Sequence, residues 1–256
     1  MQITSLFWNT WLDNHIKSEE RYHRLSGFLE DLLTEHQPDV IGLNEVVAYR
    51  DNPPKLLANL EKHGYHTEYT VNSPLDNNWK IGSILASRYK MTDLQVHEIG
   101  EDVLATHRGF PDNSIRQTFA TIHASSEVKF TFGVVHLLAL YPRAVAAHYR
   151  QAQPMADIMN KLARESQPVI IGGDFNEFRL LPGSVYSRVK SNYHRQTGTV
   201  VWPTWSALGY ALSPVRANYD HIYWSRGNDH IELSDFTVIK RHPSDHAPLV
   251  GIFELN

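Results

Sequence analysis

Four strand-like runs follow one another with no helical pattern between them: "YHTEYTV", "KIGSILASR", "SIRQTFATIHA" and "KFTFGVVHLLAL". Turn-forming residues separate them, and β-branched and aromatic residues dominate them. An ordinary doubly wound sheet needs a helix after nearly every strand, so this run argues against one. The amino-terminal part does alternate. Residues 2–9 form a strand pattern ending near Trp8 and Asn9, and Tyr22, Leu25, Phe28, Leu29, Leu32 and Leu33 recur at helical spacing. "DVIGLNEV" is a second strand, with Glu45 near its end. That βαβ unit implies parallel neighbours and a sheet covered by helices. The two patterns together predict two sheets packed face to face with helices outside. No linker, repeat or low-complexity tract divides residues 1–256, so a single domain is expected.

Punctuation along the chain sharpens this outline. Ser18 is placed to cap the first helix, with Glu19 and Glu20 at its positive end, and Pro38 stops it. Pro53 and Pro54 open a short helix that Gly64 closes. A helical stretch covers 143 to 164, with a break or kink expected at Pro154. "PVIIGGDF" is a buried strand, 177 to 215 is polar and irregular, and "NYDHIYWS", "IELSDFTVIK" and "APLVGIFEL" close the chain.

Composition excludes some classes. With 24 basic against 28 acidic residues the formal charge is −4, which is not the globally basic footprint of many nucleic-acid binders. There is no cysteine, hence no disulfide and no thiolate metal site. The amino-terminal "MQITSLFWNTW" shows no basic segment followed by an apolar run. No apolar stretch approaches the roughly 18 residues needed to cross a bilayer. A soluble cytoplasmic protein without stable membrane association is therefore expected; oligomeric state is left open.

Several polar residues fall where strands should stop: Asn9, Glu45, His136, Asp174, Asn176, Asp220, His221, Asp245 and His246. Strand ends on one rim of a sheet converge, and rigid strands hold side chains accurately. Glu45 and Asp245 are hard carboxylate ligands and Asn9 adds an amide oxygen, a set suited to Mg²⁺ or Mn²⁺. Zinc is not indicated, since the chain lacks cysteine and HExxH. In "VIIGGDFNEF", Gly172 and Gly173 permit a close approach to the backbone, and Asp174 then stands at the rim, able to orient or deprotonate a water. Asn176 suits holding that water or a phosphate oxygen, and equally suits an Asx turn closing the strand. Asp245 and His246 are adjacent, so in an extended segment they would face opposite ways. His246 needs an orienting carboxylate, for which Asp220 is the candidate; that partner would favour the charged imidazole.

Seven segments, "FWNTW", "PDVIGLNEV", "GSILASRY", "VVHL", "IIGGDFNEF", "YDHIYW" and "PSDHAPL", resemble in order the motifs of the endonuclease/exonuclease/phosphatase, DNase-I-like, superfamily. The resemblance implies a four-layer α/β/β/α sandwich with the site at one edge. It implies metal-site roles for Asn9 and Glu45, a water-positioning pair in Asp174 and Asn176, and His136 near the scissile phosphate. It further implies Asp220 orienting the last histidine, the closing pair Asp245–His246, and a phosphate-contacting Arg116. Two departures stand out. The second motif carries Asn44 where the family usually has Gln. The segment "LDNNWKIG" lacks the glutamate that DNase-like nucleases pair with the middle histidine, which points to a neutral His136 donating a hydrogen bond.

The reaction implied is in-line attack of water on a phosphodiester with Mg²⁺, Mn²⁺ being an alternative. The substrate is less constrained, since members act on DNA, RNA, phospholipid heads and inositol phosphates. Arg179, Arg188, Lys190, His194 and Arg195 precede Trp202, Trp205 and Tyr210, and Lys240, Arg241 and His242 precede the closing pair. Cations beside aromatics suit a phosphate chain with stacked bases. Nucleic acid is thus the expected substrate and Trp205 the expected wall residue, although Trp202 and Trp205 would equally fill a core under a long loop. The alternatives are a lipid or small phosphoester, and a silent binding module retaining the fold.

Overall fold

The computed structural model describes residues 1–11, 19–74, 78–101, 114–138, 145–177, 183–198, 204–206, 216–226 and 230–256. The first half runs β1 (Gln2–Asn9), α1 (Glu19–His36), β2 (Val40–Tyr49), α2 (Lys55–Lys62), β3 (His66–Pro74), β4 (Trp79–Ser87), β5 (Lys90–Glu101), β6 (Ser114–His123) and β7 (Lys129–His136). The second runs α3 (Val145–Leu162), β8 (Val169–Asp174), α4 (Val185–Val189), β9 (Tyr193–Thr197), β10 (Trp205–Ser206), β11 (Arg216–Ala217), β12 (Asp220–Ser225), β13 (Ile231–Val238) and β14 (Leu249–Leu255). The four helix-free strands of the sequence are β3, β4, β6 and β7, with β5 completing the run. Ser18 lies outside the described residues.

Among the described residues there are two six-stranded sheets, ordered β13-β14-β1-β2-β4-β3 and β5-β6-β7-β8-β12-β9, and a two-stranded ribbon of β10 and β11. Both large sheets are mixed. β1 and β2 run parallel, as do β7 and β8, and the other pairs are antiparallel. Alternation along the strands assigns the layers. On β1, Ile3 and Phe7 turn inward to meet Phe130, Phe132, Val134 and Ile170 of the second sheet. Leu6 and Trp8 turn outward onto Leu25, Leu29, Leu32 and Leu33 of α1 and Leu56 and Leu60 of α2. On the far side Ala152, Met155, Ala156 and Met159 of α3 cover Val135, Val169 and Ile171. The result is the α/β/β/α sandwich that the motifs imply.

The helix does not break at Pro154. α3 runs unbroken from Val145 to Leu162 with Pro154 inside it. Proline removes one ladder hydrogen bond there, but Ala152, Met155 and Ala156 on either side are fully buried, so packing keeps the turn closed. No helix among the described residues is long and apolar enough to cross a membrane.

The glycines of β8 leave no room for side chains. A Cβ on Gly172 would lie 2.6 Å from the Phe7 ring. One on Gly173, whose φ is +130°, would lie 2.2 Å from the Val135 carbonyl oxygen and 2.7 Å from Asn44 Oδ1. A side chain on Gly172 would press on Phe7 of the facing sheet, and one on Gly173 on its own neighbour β7 and on Asn44 of the facing sheet. Gly172→Ala should therefore lower stability by about 1–3 kcal/mol, read by thermal denaturation, and Phe7→Leu in the same chain should return part of the loss. An unchanged melt would show that the layers do not touch at this point.

Candidate active site

Every strand-end residue singled out above except His221 gathers at one rim, where β1, β7 and β8 end and β12 begins; β2 runs on past the rim to Tyr49, so Glu45 is a mid-strand residue rather than one near the strand end. Asn9 closes β1, His136 closes β7, Asp174 closes β8, and Asp220 opens β12 opposite Asp174. His136 and Asp174 are register partners. Glu45 reaches the rim through a bulge: Leu43 pairs with Ile84 and Val46 with Gly82, so Asn44 and Glu45 together face Ser83. Glu45 adopts φ 54° and Asn176 φ 48°. Asparagine tolerates that left-handed region; glutamate does so at a cost, and such strain collects at functional sites.

The contacts form a continuous chain. His246 Nδ1 donates to Asp220 Oδ2 at 2.8 Å, and its Nε2 lies 3.7 Å from Asp174 Oδ2. Asn9 Nδ2 donates to Asp174 Oδ2 and to Glu45 Oε1, both at 3.0 Å. Glu45 Oε1 is 3.5 Å from His136 Nε2. Asn9 Oδ1 accepts from the Trp11 amide, so the group it turns to the carboxylates is its nitrogen. A carboxylate does stand beside His136, then, but it comes from β2 rather than from the segment before β4.

Asp245 and His246 do not diverge. Segment 241–245 is bent rather than extended. Ser244 Oγ accepts from the His246 amide and donates to the Asn9 carbonyl, curling the chain so that Asp245 Oδ1 comes 3.9 Å from His246 Nε2. Asp174 and Asn176 take the Asx-turn form. The Asn176 amide donates to Asp174 Oδ1 in an Asx-type turn, which leaves Oδ2 for Asn9 and His246. Asn176 Nδ2 donates to the Leu137 carbonyl.

Burial controls the protonation. It pushes the Asp174 carboxyl up to about 7, with Asp220 adding to the rise, while His246 and hydrogen bonds from Asn176 and Asn9 oppose it. Burial alone would lower the His246 imidazole, but Asp220, Asp174 and Asp245 together hold it well above its usual value. His242 is the reverse case: burial, then the nearby His246, lowers it to about 4. It therefore does not supply the cationic contact expected of it.

The residues expected to meet substrate make contacts within the protein. Arg116 Nη1 donates to the Val71 carbonyl at 3.4 Å, bridging the two sheets. Arg195 lies over the Tyr186 ring at 3.7 Å, and His194 stacks on Trp224. Arg188 donates to Gly183 and Gln153, tying α4 to α3. These contacts lie on the second sheet and the helical layer that covers it. His221 turns away as well, its Nε2 approaching the Glu177 carbonyl at 3.3 Å. The Trp205 backbone pairs with Ala217 in the small ribbon. Its side chain, and all of Arg179, Trp202 and Tyr210, lie outside the described residues.

Three supporting residues had no role assigned to them from the sequence. Asn44 Oδ1 accepts from the Asp174 amide and its Nδ2 donates to Ser83, so the unusual asparagine locks one sheet to the other beneath the site. Thr204 Oγ1 accepts from the Tyr219 and Asp220 amides. Gln117 brackets the main chain of His136. Asn44 was visible as a departure from the motif; the other two carry no local signal.

Two groups of these side chains place potential ligand atoms within 4.8 Å of one another: Glu45, His136 and Asp174, and Asp174, Asp220 and His246. The donors are mainly carboxylate oxygens, which fit a hard divalent cation.

A sequence model of the endonuclease/exonuclease/phosphatase family matches residues 6–246. No curated protein matches the chain at a significant level. Several solved structures do. The human nocturnin catalytic domain with bound sulfate is 20% identical, covered over 100% of this chain and 95% of that one, with a TM-score of 0.73. An endonuclease/exonuclease/phosphatase from Beutenbergia cavernae is 17% identical, with 100% and 72% covered and a TM-score of 0.74. A mannosyl-6-phosphatase from Bacteroides thetaiotaomicron is 15% identical, with 97% and 98% covered and a TM-score of 0.70.

Proposed function

The chain belongs to the endonuclease/exonuclease/phosphatase family of phosphoester hydrolases, and on that premise we propose that it is a Mg²⁺-dependent phosphodiesterase acting on nucleic acid. The observation that carries the reaction is the unbroken line His246–Asp174–Asn9–Glu45–His136, anchored at one end by Asp220. Asp174 accepts a proton from the attacking water; the Asn176 turn and the Asn44 contact to its amide fix its direction. His246, kept cationic by Asp220, faces the same oxygen of Asp174 and neutralises charge that builds on the phosphoryl oxygens. His136, held beside Glu45, donates a hydrogen bond to the phosphoryl group. Glu45 would hold the cation, with Asn9 and Asp245 bordering it; Mg²⁺ or Mn²⁺ there would polarise the phosphate and stabilise the leaving oxygen.

A surface feature supports the substrate class. Trp79, Ile81, Ser83 and Leu85 alternate onto one face of β4, and Leu85 lies in the core between the sheets. Tyr49 is the register partner of Trp79, so this aromatic pair shares one face of the β2–β4 end beyond Glu45. The rings are 4.9 Å apart and Arg50 lies over Tyr49. An exposed aromatic face with a cation suits a base and its phosphate.

The test is a substrate panel with Mg²⁺, with and without chelator: single- and double-stranded DNA, RNA, blocked DNA ends, sphingomyelin and inositol phosphates. Hydrolysis of a nucleic acid, abolished by chelator and restored by Mg²⁺, is expected. Turnover of only the lipid or inositol substrates moves the assignment to a small phosphoester. Chelator-insensitive activity removes the metal, and no turnover anywhere leaves a binding module.

A further inference from the structure

β6 and β7 part company just before the site. Their ladder runs from His123↔Lys129 to Thr118↔Val134 and stops. The next pairs in register would set Gln117 against Val135 and then Arg116 against His136, but the ladder does not continue to them; the Arg116 main chain stays paired with Glu98 of β5, and its side chain donates to the Val71 carbonyl of β3. His136 would then carry an unpaired N–H and C=O at a partly buried strand end. The side chain of Gln117 fills both needs. Its Oε1 accepts from the His136 amide at 2.7 Å and its Nε2 donates to the His136 carbonyl at 2.9 Å.

The next two residues are held in the same manner. The Leu137 amide donates to the Asp174 carbonyl, and its own carbonyl accepts from Asn176 Nδ2. The Leu138 amide donates to Gln151 Oε1, and its carbonyl meets His148 Nδ1 at 2.7 Å. Three consecutive residues thus have all six main-chain polar groups engaged, four of them by side chains from β6 and α3. Buried main-chain groups need partners, and at His136 both partners come from one side chain, Gln117.

We propose that Gln117 is a positioning residue for His136, its amide replacing a missing strand partner and fixing the imidazole beside Glu45. The proposal rests on the phosphodiesterase reading for its kinetic consequence but not for its geometric one. Gln117 is 1% exposed and does not meet substrate. Its effect must pass through His136.

The test combines two readouts on the full chain. The first is Mg²⁺-dependent hydrolysis of bis(p-nitrophenyl) phosphate by wild type, Gln117→Met, His136→Ala and the double variant. Gln117→Met keeps the side-chain length and removes both hydrogen bonds. It should lower kcat by about 10- to 100-fold, as expected for a catalytic group displaced by about 1 Å, with little change in KM. In the His136→Ala background it should cost less than about twofold more. Losses that multiply in the double variant overturn the proposal. The second readout is the His136 ring resonances, which should shift in Gln117→Met while those of His246 hold still; an unmoved His136 ring also overturns it. Full activity of His136→Ala would reject that residue's place in the phosphodiesterase reading, with the ring shift still deciding the role of Gln117. Should Gln117→Met not fold, Gln117→Glu retains the acceptor for the His136 amide and should give an intermediate ring shift. Wild type alone supplies a further check: slow exchange of the His136 amide is expected, and exchange as fast as an exposed loop amide would sink the idea.

Discussion

Asp174→Asn is expected to lose about 10²- to 10⁴-fold in kcat and, in the absence of metal, to melt at a higher temperature than wild type at pH 8. The two effects share one cause. Asp174 is 1% exposed, and burial lifts its carboxyl from 3.8 to about 7. A group whose folded value lies above its unfolded one binds its proton more tightly in the folded state. Its stabilising contribution is complete below about pH 4 and is lost as pH rises through about 7. Above that the folded chain carries a buried carboxylate whose desolvation Asn9, Asn176 and His246 only partly offset. Asparagine keeps the shape and never ionises. It forfeits the attraction to His246, 3.7 Å away, so the net gain at pH 8 should be on the order of 1–2 kcal/mol. At pH 5 the wild-type carboxyl is already largely neutral, and the gain should shrink toward zero. Melting curves at both pH values, beside the rate on whichever substrate the panel identifies, check this. A lower melting temperature at pH 8, or unimpaired hydrolysis, would remove Asp174 from the role assigned to it.

That stored cost also explains which parts of the molecule were legible in advance. The βαβ unit and the helix-free strands were readable because hydrophobic period and turn residues are local properties, and the sandwich follows from them. The rim residues were readable because strand ends converge whatever the details of the loops. Local pattern does not reveal which way a side chain turns once it arrives. Asp245 and His246 were expected to diverge, and a single serine hydroxyl curls them together. His136 was expected to lack a carboxylate, but the bulge at Asn44–Glu45 delivers one from another strand. Arg188, Arg195 and His194 looked like substrate contacts because a string of cations near aromatics looks the same whether it faces a polyanion or braces a sheet. Gln117 and Thr204 were invisible, since each acts on main-chain groups that only the folded register brings near.

Asp220→Asn should be as damaging to turnover as Asp174→Asn and opposite in its effect on stability. The His246 imidazole sits in a site where burial opposes its charge; Asp220, 2.8 Å from Nδ1, is the largest influence holding it on. An asparagine oxygen can still accept from Nδ1, so the ring keeps its place while its charge is lost. Turnover at neutral pH should fall by about 10²- to 10⁴-fold. The limb of the pH profile that reports the charged imidazole should move to lower pH. For stability the sign is set by a raised histidine: its contribution is complete below its unfolded value of 6.5 and disappears as pH rises through the higher folded value. Removing Asp220 should therefore lower the melting temperature most at pH 6, by up to about 3 kcal/mol in stability, and progressively less at alkaline pH. The variant relieves Asp174 of a like-charged neighbour, which limits the loss without reversing it. A pH–rate profile and melts at pH 6 and 9 decide the matter. If Asp220→Asn retained the wild-type alkaline limb, His246 would owe its charge to Asp174 and Asp245 instead, and the division of labour between the two buried aspartates would have to be exchanged.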